Sequence, residues 1–210
     1  MKGLILKDLY YMKNNFKLLA VVFLLYGIMF INQKSFMFFP AVMTMLIGFM
    51  TLGIITVDEK NNWDKYALTM PLSRKNLVQE KFVFINGLCS LTFLVTFGVS
   101  IIILKKFEIN LLIESILFLL AVLVFLNLNI FIGIKFGAEK AMIYVFGIIA
   151  GIAVIVFGIQ KIFPEIINKS VELIPKLNMT MVGIVFALIA VLLISLFYLL
   201  SIKTINKKEY

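Results

Sequence analysis

The chain has 210 residues, of which 62% are hydrophobic and 15% charged, and its formal net charge is +9. Soluble domains are roughly 45–50% apolar and about 25% charged, so this composition excludes a soluble globular fold. Since one bilayer crossing takes about twenty apolar residues, the sequence predicts an all-α membrane protein with six transmembrane helices.

The residue types that the sequence lacks exclude several kinds of site. There is no His and only one Cys, Cys89, so a disulfide framework, a His/Cys metal cluster and a His-dependent catalytic triad cannot be built within the chain. The sequence also contains no phosphate-binding loop of the form G-x-x-x-x-G-K-[ST], so we expect no ATP hydrolysis by the chain alone. We predict no catalytic residue, no metal site and no cofactor bound by this chain.

Residues 1–17 are predicted to form an amphipathic interfacial helix. Its apolar positions recur at steps of four, three and four, at Ile5, Leu9, Met12 and Phe16. Lys7 and Asn14 fall on the opposite face. We expect this helix to lie in the headgroup plane with its lysines against anionic lipid.

Residues 18–210 are predicted to form a single transmembrane domain. Its six apolar blocks are Leu18 to Ile31, Phe36 to Val57, Phe82 to Leu104, Ile116 to Ile134, Ala141 to Ile159 and Met179 to Ile202. They are apolar on every face, whereas barrel strands alternate apolar and polar residues, so we predict helices. The first block is short for a span and needs flanking residues to extend it.

Lysine and arginine predict the orientation. If the N-terminus is inside, 14 of the 20 basic residues fall on the inner side. This bias agrees with the positive-inside rule, so both termini are predicted to be cytoplasmic. The segment 160–178 would then lie outside, where its near-helical apolar spacing predicts one or two short amphipathic helices.

The longest inner break, residues 58–81, reads DEKNNWDKYALTMPLSRKNLVQEK. Trp63, Tyr66 and Met70 share one side of a short predicted helix, which Pro71 should end. Ser73 can cap a new helix that runs into the third span. Spacing alone favours equally a helix that docks in a partner's groove and a loop whose aromatic side chains anchor it at the headgroups.

The same break resembles the cytoplasmic loop of the type-2 ABC exporter permeases, and is most similar to the small bacterial permeases that include the phenol-soluble modulin exporters. The residues that carry the resemblance are Glu59, Trp63, Asp64, Tyr66, Ala67, Leu68, Pro71, Ser73, Arg74 and Lys81. The similarity of layout extends to the N-terminal elbow helix and the six spans.

The resemblance implies a transport subunit in a bacterial cell membrane rather than an enzyme. It implies a homodimer, or a pair with a similar permease, that rests on two copies of a separate ATPase. ATP and magnesium would bind that ATPase, and the exported cargo would be an amphipathic or hydrophobic peptide. The residues implied to couple the chain to the ATPase are Glu59, Trp63, Tyr66, Leu68, Met70, Pro71 and Arg74. Arg74 would suit a forked pair with Glu59 or with the partner.

Within the spans, the candidate polar residues are Asn86, Asn127 and Asn129, which can either bond neighbouring helices or contact a substrate. Gly147, Ala150 and Gly151 form a small-residue stripe, and so are candidates for packing between two copies of the chain. A stand-alone structural or immunity membrane protein, which would need no ATPase, is the alternative function.

Overall fold

A computed structural model of the chain describes residues 2–14, 16–33, 36–105, 109–162 and 179–208. Within these ranges all the regular secondary structure is helical. The helices are α1 (Lys2–Asn14), α2 (Phe16–Gln33), α3 (Phe38–Lys60), α4 (Trp63–Ala67), α5 (Arg74–Leu104), α6 (Ile109–Phe136), α7 (Ala138–Ile162) and α8 (Met179–Lys207).

Five of the helices, α3, α5, α6, α7 and α8, are long and apolar enough to cross a membrane. They correspond to the second to sixth predicted spans. The apolar part of α2, Leu19–Ile31, is shorter than those five, so a crossing by α2 stays a prediction. Of the segment 160–178, α7 takes in the residues up to Ile162, and 163–178 lie outside the described residues.

Helices α3 and α5 extend beyond the predicted apolar blocks. α3 continues to Lys60, beyond the block that ends at Val57, and α5 begins at Arg74, directly after the predicted Ser73 cap and before the block that begins at Phe82. The apolar blocks mark only the apolar parts of these helices, because backbone hydrogen bonds continue a helix through polar residues. The added turns carry the charged residues of the site described below.

The core lies where α3, α5, α6 and α8 pack together. Ile85, Leu126 and Ile130 are fully buried there. A Cβ on Gly48 would lie 2.8 Å from Leu126 Cδ1, so glycine permits the close approach of α3 and α6. By contrast, α7 lies at the edge of the bundle and packs on α6 through one stripe that includes Ala141 and Val145.

Helix α1 packs against α3 and α5 through a face that is rotated from the predicted one, although Ile5 and Met12 of the predicted face pack on the core. Its buried residues are Leu4, Asp8 and Met12, whereas Leu9 is 44% exposed. The prediction that Lys7 faces lipid headgroups is wrong, because the Lys7 ammonium bonds to Asp58 of α3. Charged partners on the neighbouring helices set the rotation of α1, and apolar spacing within α1 does not reveal them.

Candidate functional site

The candidate site lies at the end of the bundle where α1, α4 and the α6–α7 turn meet, which we call the α4 end. The chain leaves α3 through Asn62, whose left-handed backbone (φ 51°) an asparagine tolerates. After α4 it turns through Leu68 to Met70, and Ser73 then accepts a 3.2 Å hydrogen bond from the backbone N–H of Asn76. The predicted Ser73 cap of α5 is thus confirmed.

The predicted coupling residues of the loop divide into inward and outward sets. Trp63 and Leu68 are half-buried against the core, and Ala67 of the same short helix is fully buried. Tyr66 is 60% exposed and Met70 is 39% exposed, with Pro71 also exposed. One side of the loop therefore packs against the bundle, and the other side exposes an aromatic and apolar surface.

Behind Trp63 lies a group of five charged residues, which we call the ionic cluster. It consists of Lys7 and Asp8 of α1, Asp58 of α3, and Glu80 and Lys81 of α5. Lys7 Nζ lies 2.6 and 2.7 Å from the two carboxylate oxygens of Asp58, and Lys81 Nζ lies 2.5 Å from Asp58 Oδ2. The ionic cluster joins the elbow helix to the two helices that hold α4.

Lys7 also connects the ionic cluster to α4 directly. Its ammonium lies 4.6 Å from the centroid of a Trp63 ring, within the range of a cation–π interaction. The Trp63 and Tyr66 rings are 5.7 Å apart between centroids. A continuous set of contacts thus runs from the exposed Tyr66 to the buried charges.

Two aspartates of this region differ in the direction of their pKa shifts. Burial raises the pKa of Asp8, but the hydrogen bond with Glu80 and the positive charges of Lys81 and Lys7 outweigh it, so the pKa is lowered. Burial also raises the pKa of Asp64, and the neighbouring charge of Asp58 adds to the rise, so the pKa of Asp64 lies above its usual value. Asp8 is therefore held ionised.

Glu59 binds the start of α7. One carboxylate oxygen accepts a hydrogen bond from the backbone N–H of Ala138, at a helix N-terminus where a negative charge is favoured. Gly137 has a positive φ of 99°, and a Cβ there would lie 2.8 Å from Glu59 Oε1. The positive φ favours glycine at this turn, and a Cβ there would also displace the Glu59 carboxylate.

Arg74 binds the end of α8. Its guanidinium donates hydrogen bonds to the carbonyl oxygens of Asn206 and Lys208, both at 2.9 Å, and a longer one to that of Ile205. The last carbonyls of a helix lack partners within it, and a cation there interacts favourably with the helix dipole. The sequence suggested Glu59 or a partner chain for Arg74. Within the described chain Arg74 binds the end of α8 and Glu59 binds α7, and a contact of Arg74 with a partner stays a prediction.

The intramembrane asparagines make different bonds. Asn86 of α5 and Asn127 of α6 exchange amide hydrogen bonds of 3.0 and 2.6 Å. Asn129 donates to the Phe125 carbonyl of its own helix at 2.9 Å, and lines a cleft of about 340 Å³ between α3, α6 and α7. Asn86 and Asn127 therefore join two helices, whereas Asn129 also borders open space.

The small residues of α7 lie on its outer surface. A Cβ built on Gly147 or Gly151 would meet nothing within 4 Å, and Ala150 is exposed. Large apolar neighbours such as Ile152 and Phe157 are also exposed, at 57% and 71%. The described chain leaves this face of α7 uncovered.

Sequence reasoning did not identify the ionic cluster as a unit. One signal was present, because Asp8 lies midway between Leu4 and Met12 at four-residue steps and so interrupts an apolar stripe. A carboxylate at such a position needs a buried partner. Among the described residues, no three acidic or cysteine side chains converge in a way that could hold a metal ion.

Comparison with known proteins identifies the family. Residues 3–206 match the family model described as ABC-2 family transporter protein. No curated protein and no solved structure shows significant similarity to the chain. The family match covers nearly the whole length and includes α1, the loop that holds α4 and the five long apolar helices. This chain is therefore a multi-pass membrane protein that belongs to the ABC-2 family of transporter proteins, as the membrane subunit of an ABC transporter.

Proposed function

We propose that the chain is the permease of an ATP-driven exporter and that its α4 end docks on a separate ATPase subunit. The observation that carries the proposal is the outward set of the loop, in which Tyr66, Met70 and Pro71 are exposed on a segment whose other side is buried. Aromatic side chains on a firmly held short helix suit a groove in a partner protein. ATP and magnesium would bind the partner.

Three sets of contacts would carry force from α4 to the membrane helices. The ionic cluster connects α4 to α1, α3 and α5. Glu59, which precedes α4 in the chain, connects the N-terminal side of α4 to α7. Arg74 connects its C-terminal side to α8. A displacement of Tyr66 would therefore reach α3, α5, α7 and α8 through ion pairs and hydrogen bonds.

The proposed orientation places the α4 end in the cytoplasm of a bacterial cell. Lys60, Lys65 and Lys75 are exposed at this end, as the positive-inside rule favours. A surface groove of about 390 Å³ lies between α1 and the loop, and Leu4, Trp63 and Pro71 are among its lining residues. This groove and the exposed Tyr66 form a mixed apolar and basic surface for the ATPase.

The decisive experiment compares Tyr66→Ala with Tyr10→Ala. The two tyrosines are 60% and 61% exposed, but Tyr10 lies on α1, outside the proposed docking loop. The permease would be co-expressed with each ABC ATPase that neighbouring reading frames encode, and ATP hydrolysis by the purified complex would be measured in proteoliposomes. We expect Tyr66→Ala to reduce ATPase recovery and coupled hydrolysis at least tenfold, and Tyr10→Ala to retain both.

Equal activity of the two variants would contradict docking through α4. If the wild-type chain recovers no ATPase at all, the stand-alone structural or immunity function would replace the exporter. Robust ATP hydrolysis by the purified chain alone would contradict the proposal that a separate polypeptide hydrolyses ATP.

We also propose that two copies of the chain, or this chain and a similar permease, pack through α7. The uncovered stripe of Gly147, Ala150 and Gly151 supports this, because small residues allow close approach of helix backbones. In a Cys89→Ser background, Gly151→Cys should form a disulfide between copies, since bridged Cα atoms lie within about 7 Å. Leu188→Cys, on the exposed face of α8, is the control. Equal cross-linking at both positions would contradict this interface.

The proposed cargo is an amphipathic or hydrophobic peptide. Its support is the mainly apolar lining of the cleft beside Asn129, to which Phe49, Leu52 and Ile55 contribute. An amphipathic helical peptide should stimulate ATP hydrolysis by the reconstituted complex, whereas a scrambled peptide of the same composition should not. Equal stimulation by both peptides would indicate a nonspecific membrane effect and contradict a peptide cargo.

A further inference from the structure

The ionic cluster contains more carboxyl groups than ammonium groups. Asp8, Asp58 and Glu80 supply three carboxyls, while Lys7 and Lys81 supply two cations. Glu80 and Asp8 are almost completely buried, at 1% and 0% exposure. Three ionised carboxylates would therefore leave one uncompensated negative charge in a buried site, which is strongly unfavourable.

The contacts are not shared equally among the three carboxyl groups. Asp58 accepts hydrogen bonds from both lysines, and Asp8 accepts one from Lys81 at 3.0 Å. The ion pair of Glu80 is with Lys81 at 3.4 Å, the longest in the ionic cluster. Glu80 is thus the carboxyl group whose negative charge is least well compensated.

Two buried carboxyl oxygens also lack a hydrogen-bond donor within the described part of the chain. They are Asp8 Oδ1 and Glu80 Oε1. The Asp8 oxygen lies 2.9 Å from the Lys7 ammonium, which compensates its charge, but the angle does not give a hydrogen bond. The two carboxyl groups approach the same Lys81 nitrogen, Asp8 at 3.0 Å and Glu80 at 3.4 Å, and therefore lie next to each other. Two carboxylates cannot form a hydrogen bond without a proton, since an ionised carboxylate only accepts.

We propose that the ionic cluster is a binding site for one exchangeable proton, which Glu80 holds and donates to Asp8. The proton balances the charge of the cluster and supplies the missing donor. The lowered pKa of Asp8 agrees with this assignment, because it keeps Asp8 as the ionised acceptor. A protonated Glu80 then bonds α5 to α1, next to the lysine that contacts Trp63.

Among the described residues, Lys81 is the one cation within ion-pair distance of Glu80. The charged groups that face Glu80 from the packed elements, or line the cleft beside it, are Lys7 and Asp8 of α1, Asp58 and Glu59 of α3, Asp64 of α4, Lys81 of α5 and Lys208, which follows α8. The described residues of α6 that line the cleft, Gly133 and Ile134, are uncharged. Removal of the proton at alkaline pH would add a negative charge beside Asp8 and weaken the attachment of α1.

Infrared spectroscopy of the full chain in lipid or detergent tests the proposal. A protonated carboxylic acid has a C=O band that an ionised carboxylate lacks. We expect wild-type protein to show such a band at neutral pH and to lose it reversibly in alkaline buffer. Glu80→Gln should remove the band at neutral pH, whereas Glu139→Gln should keep it, since Glu139 is exposed and paired with Lys60.

The pH dependence of thermal unfolding provides a second measurement. Wild-type protein should lose stability as pH rises through the release of the proton, because protonation stabilises the folded state. Glu80→Gln retains an amide that can donate to Asp8, so its unfolding midpoint should change much less over the same alkaline range. A wild-type protein without the neutral-pH band, or a band that persists unchanged in Glu80→Gln, would overturn the assignment. Failure of Glu80→Gln to fold would leave the wild-type titration as the deciding result.

Discussion

The α4 end and the outer face of α7 represent two opposite ways to use polar and apolar residues in one membrane protein. At the α4 end, charged residues from three helices are buried together, and nearly every one lies within ion-pair distance of an oppositely charged residue. The outer face of α7 consists of small and large apolar residues that touch little else in the described chain. The first region connects parts of one chain, and the second is free to meet lipid or another copy.

This difference follows from the solvent that each region would otherwise contact, which is lipid for the outer face of α7 and water for the charged residues. Apolar residues gain little from leaving lipid, so the outer face of α7 has no strong reason to fold back on the bundle. Buried charges gain much from one another once they leave water, and lose much when one partner is removed. Mutations should therefore have large effects at the α4 end and small effects on α7.

The largest effect is expected for Asp58→Asn. It leaves Lys7 and Lys81 without their shortest ion pairs, and loss of one partner from a buried ion pair costs about 3–5 kcal/mol. The free energy of unfolding in mixed detergent micelles would measure this loss. Asp64→Asn is the matched control: since burial raises the pKa of Asp64, removal of its charge should cost little. Equal losses in both variants would show that the ionic cluster has no special role.

Gly137→Ala should have the next largest effect. The methyl group would meet Glu59 Oε1 at 2.8 Å and the backbone has φ 99°, so we expect a loss of about 1–3 kcal/mol. Gly147→Ala, inside α7 with open space around it, should cost nothing measurable. The same unfolding assay applies, and a Gly147→Ala loss as large as that of Gly137→Ala would contradict the comparison between the two regions.

Asn127→Ala tests the bonds between α5 and α6 inside the membrane. Hydrogen bonds between transmembrane helices contribute roughly 0.6–2 kcal/mol, and this variant removes the reciprocal pair with Asn86. Asn129→Ala removes a side chain whose described hydrogen bond stays within its own helix, so its unfolding free energy should change less. The reverse order of the two losses would show that the paired amides do not hold the helices together.

The smallest expected effect is a change in how steeply the unfolding midpoint depends on pH. Because the folded pKa of Asp8 lies below its usual value, its stabilising contribution is present at neutral pH and is lost as pH falls through the folded pKa. The unfolding midpoint of wild-type protein should thus fall in acid, and that of Asp8→Asn should fall less steeply. Parallel acid profiles would assign the acid sensitivity to other groups.

Composition and periodicity predicted the helical class, the positions of five long helices and the break that holds α4. These properties depend on local features: apolar runs of bilayer length, a proline after a short helix and a serine before a long one. Tyr66 is exposed, and its role in docking stays a prediction. Local patterns did not predict that Trp63 faces the bundle, because this position depends on its contact with Lys7 of α1.

The sequence by itself determined that this chain is a helical membrane protein, because blocks of bilayer length that are apolar on every face form helices in lipid rather than barrel strands. It also marked the loop between α3 and α5 as distinct. Only the tertiary structure decided the partners of the charges: Lys7 with Asp58, Glu59 with α7 and Arg74 with α8. These pairs join residues that are 51, 79 and 132 positions apart, and no local rule of spacing specifies such distant contacts.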